Sequence, residues 1–268
     1  SLKRISFGDD DSTEDRKIVL PKSITTIKKG VFNDCTQLLE IDAQHQSKIE
    51  ENAFKGCTSL TTVLVSPELQ EISNGTFSGC RNLDFVIPET VKTIGTEAFK
   101  DCEKFKSLDI PTSVTEIKER AFVGCDNVTL LKTQIIPKSF ISNSFGENCN
   151  ISEVVIKEGA TVISESAFEK LWALVKISIP NTVTGIENNA FKGCSKLLDF
   201  EIPESVRIIN ESAFENCCSL TNITINGPLD TFGASAFNGC TKLSQITFNG
   251  SIPAIRPLAF CNGASLKI

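Results

Sequence analysis

Residues 202–225 run IPESVRIINESAFENCCSLTNITI, and the surroundings of Phe214 in that stretch decide the fold. Ala213 precedes the phenylalanine, Ile209 lies five residues before it, Cys217 three after and Leu220 six after. Ile223 and Ile225 then alternate with Asn222 and Thr224. Apolar residues at every second position, with polar ones between, make a short strand that buries one face. Near the start of the stretch, Pro203 cannot donate to a ladder and turns the chain away from the preceding strand.

The frame extends in both directions. Phenylalanines stand at Phe32, Phe54, Phe77, Phe99, Phe122, Phe145, Phe168, Phe191, Phe214, Phe237 and Phe260, in steps of 22 or 23 residues, and Ala precedes eight of the eleven. Five residues before them come Ile27, Ile49, Ile72, Ile94, Ile117, Ile163, Ile186, Ile209, Phe232 and Ile255. Three residues after comes Cys in eight copies: Cys35, Cys57, Cys80, Cys102, Cys125, Cys194, Cys217 and Cys240. Pro88, Pro111, Pro180 and Pro203 close strands. A coil of this length cannot enclose a core alone, but stacked coils turn each apolar position into a buried ladder. The expectation is one repeat domain over residues 1–268, about eleven coils with parallel strands ~4.8 Å apart, on the order of 50 Å long.

The unit in residues 202–225, recurring over nearly the whole chain, resembles the BspA-like, treponemal-type leucine-rich repeat. The resemblance implies a curved, right-handed solenoid. A parallel sheet would line its concave side, with a mostly irregular, turn or short-helical convex side. It also implies a cell-surface or secreted protein that attaches cells to host or microbial proteins.

Two regions break the frame. Residues 8–17, GDDDSTEDRK, insert a run of acids, which reads as a solvated loop or, through Asp9, Asp11 and Glu14, as a calcium site. No Gly sits where an EF-hand turn needs one. The coils near 134–175 are degenerate: Cys149 falls one place late, Ser144 replaces Ala, and Leu171 replaces Cys beside Trp172, the sole tryptophan. Trp172 stands where a polar residue is usual, so partial exposure and a contact role are expected, against simple drift of a repeat.

Composition narrows the function. Hydrophobic residues make up 40% and charged ones 22%, which predicts a packed core. The net charge of -6 disfavours nucleic acid and anionic membrane surfaces as partners. No apolar run approaches the roughly 18 residues of a membrane span. The chain does not open with Met or a basic-then-apolar leader, as expected of a mature form or fragment. Eight of the eleven cysteines share one repeat position, which suits a row of reduced, buried thiols better than paired bridges or zinc. Cys218, beside Cys217, departs from the row and is expected to be more reactive. His45 is the single histidine, no GxxxxGK[ST] or GxGxxG loop is present, and the reading assigns no catalytic residue, metal or cofactor.

What remains is the solvent side of the strands. There the alternation places Arg4, Ser6, Glu40, Asp42, Thr62, Leu64, Asp84, Val86, Ser107, Asp109, Glu153, Val155, Lys176, Ser178, Asp199, Glu201, Asn222, Thr224, Gln245 and Thr247. This strip leans acidic, which favours a basic protein partner or simply prevents aggregation. Its candidate ligand-binding residues are Glu40, Asp42, Asp84, Asp109, Glu153, Lys176, Asp199, Glu201 and Asn222, with Trp172 in support. Sequons at Asn74, Asn127, Asn150, Asn210, Asn222 and Asn249 would matter only in a secreted eukaryotic protein. An adhesion module is the leading reading; a stalk presenting another domain and an intracellular scaffold are the alternatives. Asp199→Lys is expected on this reading to leave the melting temperature unchanged, because the residue faces water.

Overall fold

The computed structural model describes residues 16–260. The acids Asp9, Asp11 and Glu14, and the outward pair Arg4 and Ser6, therefore lie outside the described residues. The chain forms two compact units, one of residues up to 128 with 143–149, the other of residues 129–142 with 150 onward. Each is a parallel-strand solenoid built from the same coil.

In the first unit Lys17–Val19, Glu40–Ala43 and Thr62–Val65 pair in parallel, with Lys17 opposite Glu40 and Glu40 opposite Thr62. These offsets equal the repeat length, so like residues stack on like. Residues 84–87 keep the alternation, Phe85 and Ile87 inward and Asp84 and Val86 outward, without forming a strand, and Ser107–Asp109 resumes it. Lys17 thus belongs to a strand, although the acidic insert was expected to reach it. In the second unit Leu130–Thr133, Glu153–Ile156 and Lys176–Ser178 pair in parallel, as do Phe200–Ile202, Asn222–Ile225 and Gln245–Phe248.

A second parallel ladder runs through the isoleucine position. Thr26–Ile27 pairs with Lys48–Ile49, and Glu71–Ile72, Thr93–Ile94 and Glu116–Ile117 form another row. Val162–Ile163, Gly185–Ile186, Ile208–Ile209 and Thr231–Phe232 do the same in the second unit. Each strand has only two residues, too short for an alternation to show in sequence. Ile255 departs from this ladder: it is 43% exposed, because Pro253 and Pro257 bracket it and its segment forms no strand.

Between the ladders the chain turns around the phenylalanine. Left-handed residues flank it on both sides, such as Asn189 (φ 56°) and Gly193 (φ 76°) around Phe191, or Ser212 (φ 55°) and Asn216 (φ 62°) around Phe214. Asn and Gly tolerate this conformation, which is why polar and glycine residues crowd the turn. The ring itself is buried and stacks on its neighbours, 5.4 Å from Phe168 and 5.1 Å from Phe214 for Phe191. The degenerate coil absorbs its irregularity in a short helix, Phe140–Ser144, which buries Phe140 as well.

The cysteines complete the turn. The Sγ of Cys217 donates to the Phe191 carbonyl at 3.2 Å and that of Cys240 to Phe214 at 3.1 Å; Cys57, Cys80, Cys102, Cys125 and Cys194 repeat the contact one coil earlier each time. A donor must keep its proton. Burial pushes the Cys125 thiol up to about 12 and raises those of Cys102 and Cys217; the Cys80 thiol, then burial, raise that of Cys57. Among the ten described cysteines only Cys218 is not buried.

Two measurements check this core. Phe191→Ala should cost roughly 3–5 kcal/mol in urea unfolding, by leaving a cavity between Phe168 and Phe214. In a Cys261→Ser background, a thiol reagent should label one cysteine of the native protein rapidly, and Cys218→Ser should abolish that labelling.

Candidate functional site

The strand face is built by alternation alone. In Glu40–Ala43 the side chains of Ile41 and Ala43 are buried while Glu40 and Asp42 stay partly exposed, and Asn222–Ile225 buries Ile223 and Ile225 beneath Asn222 and Thr224. Glu40, Asp42, Asp84, Asp109, Glu153, Lys176, Asp199, Glu201 and Asn222 all stand on the outward side of this face, in their respective units. Trp172 does not: it lies in the turn before Lys176–Ser178, 41% exposed, with the Lys196 ammonium 4.7 Å from its ring centroid.

Two coils of the face escaped the sequence reading. Lys17 and Val19 point outward from the first described strand, and Leu130 and Lys132 from Leu130–Thr133. The strict alternation around Leu131 was the signal that could have found the second pair. With them included, the outward side chains among the described residues of the first unit hold four acids (Glu40, Asp42, Asp84, Asp109) and one lysine (Lys17). Those of the second hold three acids (Glu153, Asp199, Glu201) and two lysines (Lys132, Lys176). Among the described residues the acidic excess is therefore larger in the first unit.

Several of these acids are engaged. Lys17 meets Glu40 at 3.4 Å and Lys176 meets Glu153 at 3.4 Å, exposed pairs worth ~0.2–1 kcal/mol each. The Asp42 carboxylate accepts the Gln44 amide at 3.1 Å. Asp199 accepts hydrogen bonds from Thr221 Oγ1 and, at 3.0 Å, from Asn222 Nδ2, and these hold its carboxyl below the usual aspartate range. Asp84 and Glu201 stay exposed.

The first unit also carries the apolar part of the face. Val19, Leu64 and Val86 are 76%, 45% and 85% exposed. Val19 stands opposite Asp42, and Asp42 opposite Leu64. Beside Val86 a shallow depression of about 400 Å³ is lined by Asp84, Lys104, Lys106, Ser107 and Asp109. A larger open dip of about 620 Å³ lies beside the short-strand ladder, among Lys48, Glu68, Gln70 and Glu71. Ile49, Pro67 and Leu69 contribute apolar atoms to the same lining. Among the described residues no three His, Cys, Asp or Glu side chains converge to hold a metal, and no helix is long and apolar enough to cross a membrane. His45 is exposed, in the turn after Glu40–Ala43. The arrangement can present charge and apolar surface at regular spacing.

The environment of Asp199 corrects one expectation. Asp199→Lys removes an acceptor from two donors, so it should destabilise by roughly 0.5–1 kcal/mol instead of leaving stability unchanged. The folded-state pKa of Asp199 lies below its unfolded value. Its stabilisation is therefore complete above the unfolded value and lost as pH falls through the folded one. The melting-temperature gap between wild type and Asp199→Asn should accordingly be present at neutral pH and close in acid, read by calorimetry across pH.

The profile of the BspA type leucine-rich repeat region matches residues 7–129, 84–197 and 138–267, in six copies. No curated protein matches the sequence. A leucine-rich repeat protein of Bacteroides ovatus is 22% identical, with 96% of this chain aligned to 75% of that one at a TM-score of 0.65. The T. pallidum leucine-rich repeat protein is 19% identical over 90% of this chain and 91% of that one, with a TM-score of 0.44. A leucine-rich cell surface protein of Faecalibacterium prausnitzii is 22% identical over 88% and 79%, with a TM-score of 0.37. The first of these shows the fold; the other two are too distant in structure to add to it. With the profile covering nearly its whole length, the chain belongs to the family of BspA-type leucine-rich-repeat proteins.

Proposed function

We propose that this chain is a non-enzymatic adhesin module, cell-surface or secreted, that holds a protein ligand against the outward face of its strands. Membership of a family of protein-binding repeats supports the general role. The observation that carries the specific one is the face of the first unit, where Val19, Leu64 and Val86 lie exposed among Asp42, Asp84 and Asp109. Exposed apolar side chains in a charged surround mark interaction surfaces. The acids favour a partner with basic residues and speed its arrival more than they tighten its hold.

The test is a binding screen over extracellular-matrix, serum and microbial surface proteins. It compares wild type with an Asp84→Lys, Val86→Lys double variant whose fold is verified by circular dichroism. Both positions are solvent-exposed, so the variant should fold. A ligand bound by wild type, and at least roughly tenfold more weakly by the variant, supports the reading. Equal binding by both moves the site elsewhere, and no binding by either replaces adhesion with the stalk reading.

A further inference from the structure

The repeat supplies its own baseline for the second unit. Four residues after the phenylalanine most other coils carry a polar residue, such as Thr36, Thr58, Arg81, Glu103, Ser195 and Thr241, and two carry Cys149 and Cys218, where one coil has Trp172. Seven residues after it the usual occupant is polar, as in Thr61, Thr129, Ser152, Thr221 and Ser244. Polarity there has a purpose: Thr61 Oγ1 donates to the Leu39 carbonyl at 3.0 Å, and Ser244 Oγ to that of Thr221 at 3.2 Å. Val175 and Leu198 give up that bond and leave 37% and 47% of their surface in water. Leu39, in the first unit, is the other apolar occupant and is less exposed.

These three changes run from polar to apolar and fall on adjacent coils. The Leu198 amide donates to the Val175 carbonyl at 3.3 Å, so the two positions stack, and the Lys196–Trp172 contact joins the same two coils. Independent drift would scatter such changes along the array. Charge defines what would cover them. Lys170 and Lys196 are exposed beside the apolar side chains. Of the neighbouring acids, Glu153 is paired with Lys176, while Asp199 keeps its charge but points its carboxylate into bonds from Thr221 and Asn222, and Glu201 lies further along the strand. The charge at the centre is the Lys196 ammonium over the indole.

We propose that Trp172, Val175 and Leu198 form a docking patch for a protein segment that presents a large apolar side chain next to a carboxylate. The apolar side chain covers the exposed triad, and the carboxylate meets Lys196. This patch is separate from the acidic face of the first unit and would serve a partner of opposite charge.

Trp172 is the only tryptophan, so its fluorescence reports on the patch without a label. The probes are a soluble peptide of Asp, Glu, Leu and Phe, and a control with Lys in place of the acids. The acidic peptide should shift the emission saturably and the control should not. A Val175→Thr, Leu198→Thr variant restores the usual residue of the repeat and should fold. It should weaken the response by roughly tenfold or more. The Asp84→Lys, Val86→Lys variant should keep the response, so failure of the strand-face reading leaves this one standing. No saturable shift, equal response to both peptides, or indifference to the threonine pair overturns the proposal. So does a shift that grows with protein concentration alone, which would assign the patch to a second copy of the chain.

Discussion

The phenylalanine peptide is the joint on which each coil hangs. The Phe191 amide donates forward to the Ala213 carbonyl at 2.8 Å, while its own carbonyl accepts the Cys194 amide at 3.0 Å and the Cys217 thiol at 3.2 Å. Both lone pairs of a buried oxygen are thereby filled, one from within the coil and one from the next. A buried carbonyl left short of a partner is costly, and the thiol is a donor small and apolar enough to reach it inside a core. Ala before the ring and Cys after it suit this geometry: Ala213 is fully buried, and the thiol donates to the carbonyl of the preceding coil. The rings stack along the same coil-to-coil direction as both backbone ladders.

Because the coils are fixed by that joint, their solvent side is free to vary. Outward side chains ride on a register they do not determine, so Asp, Leu, Val or Lys can occupy the same kind of position at little cost to the fold. That freedom separates the two units chemically, with an acidic, partly apolar face in the first and a lysine-rimmed apolar patch in the second. The exposed ion pairs, Lys17–Glu40 and Lys176–Glu153, tune this surface more than they hold it together.

Much of this was legible in the sequence because the repeat writes each buried position many times. The phenylalanine, cysteine and inward strand residues could be read from a single stretch and found buried, as Phe214, Cys217 and Ile223 are. The short-strand ladder was not legible, since two residues carry no alternation, and Ile255 misled because its column identity is opposed by the prolines around it. Surface chemistry was the harder part. Asp199 reads as a free acid until Thr221 and Asn222 are seen beside it, a contact made across coils between residues more than twenty apart in sequence. Val175 and Leu198 pass as ordinary strand hydrophobics until their column is found to be polar elsewhere.

Register equality between coils has a consequence for how such a chain can change length. Each bond from one coil to the next joins residues one repeat apart, as from Lys17 to Glu40 or from Asn222 to Gln245. Excising or duplicating one whole coil restores every such bond with a new partner of the same kind. Removing half a coil sets phenylalanine against strand and breaks both ladders together. The gene is therefore free to grow and shrink in quanta of a single turn, and each added turn lengthens the outward face by one more pair of side chains open to selection.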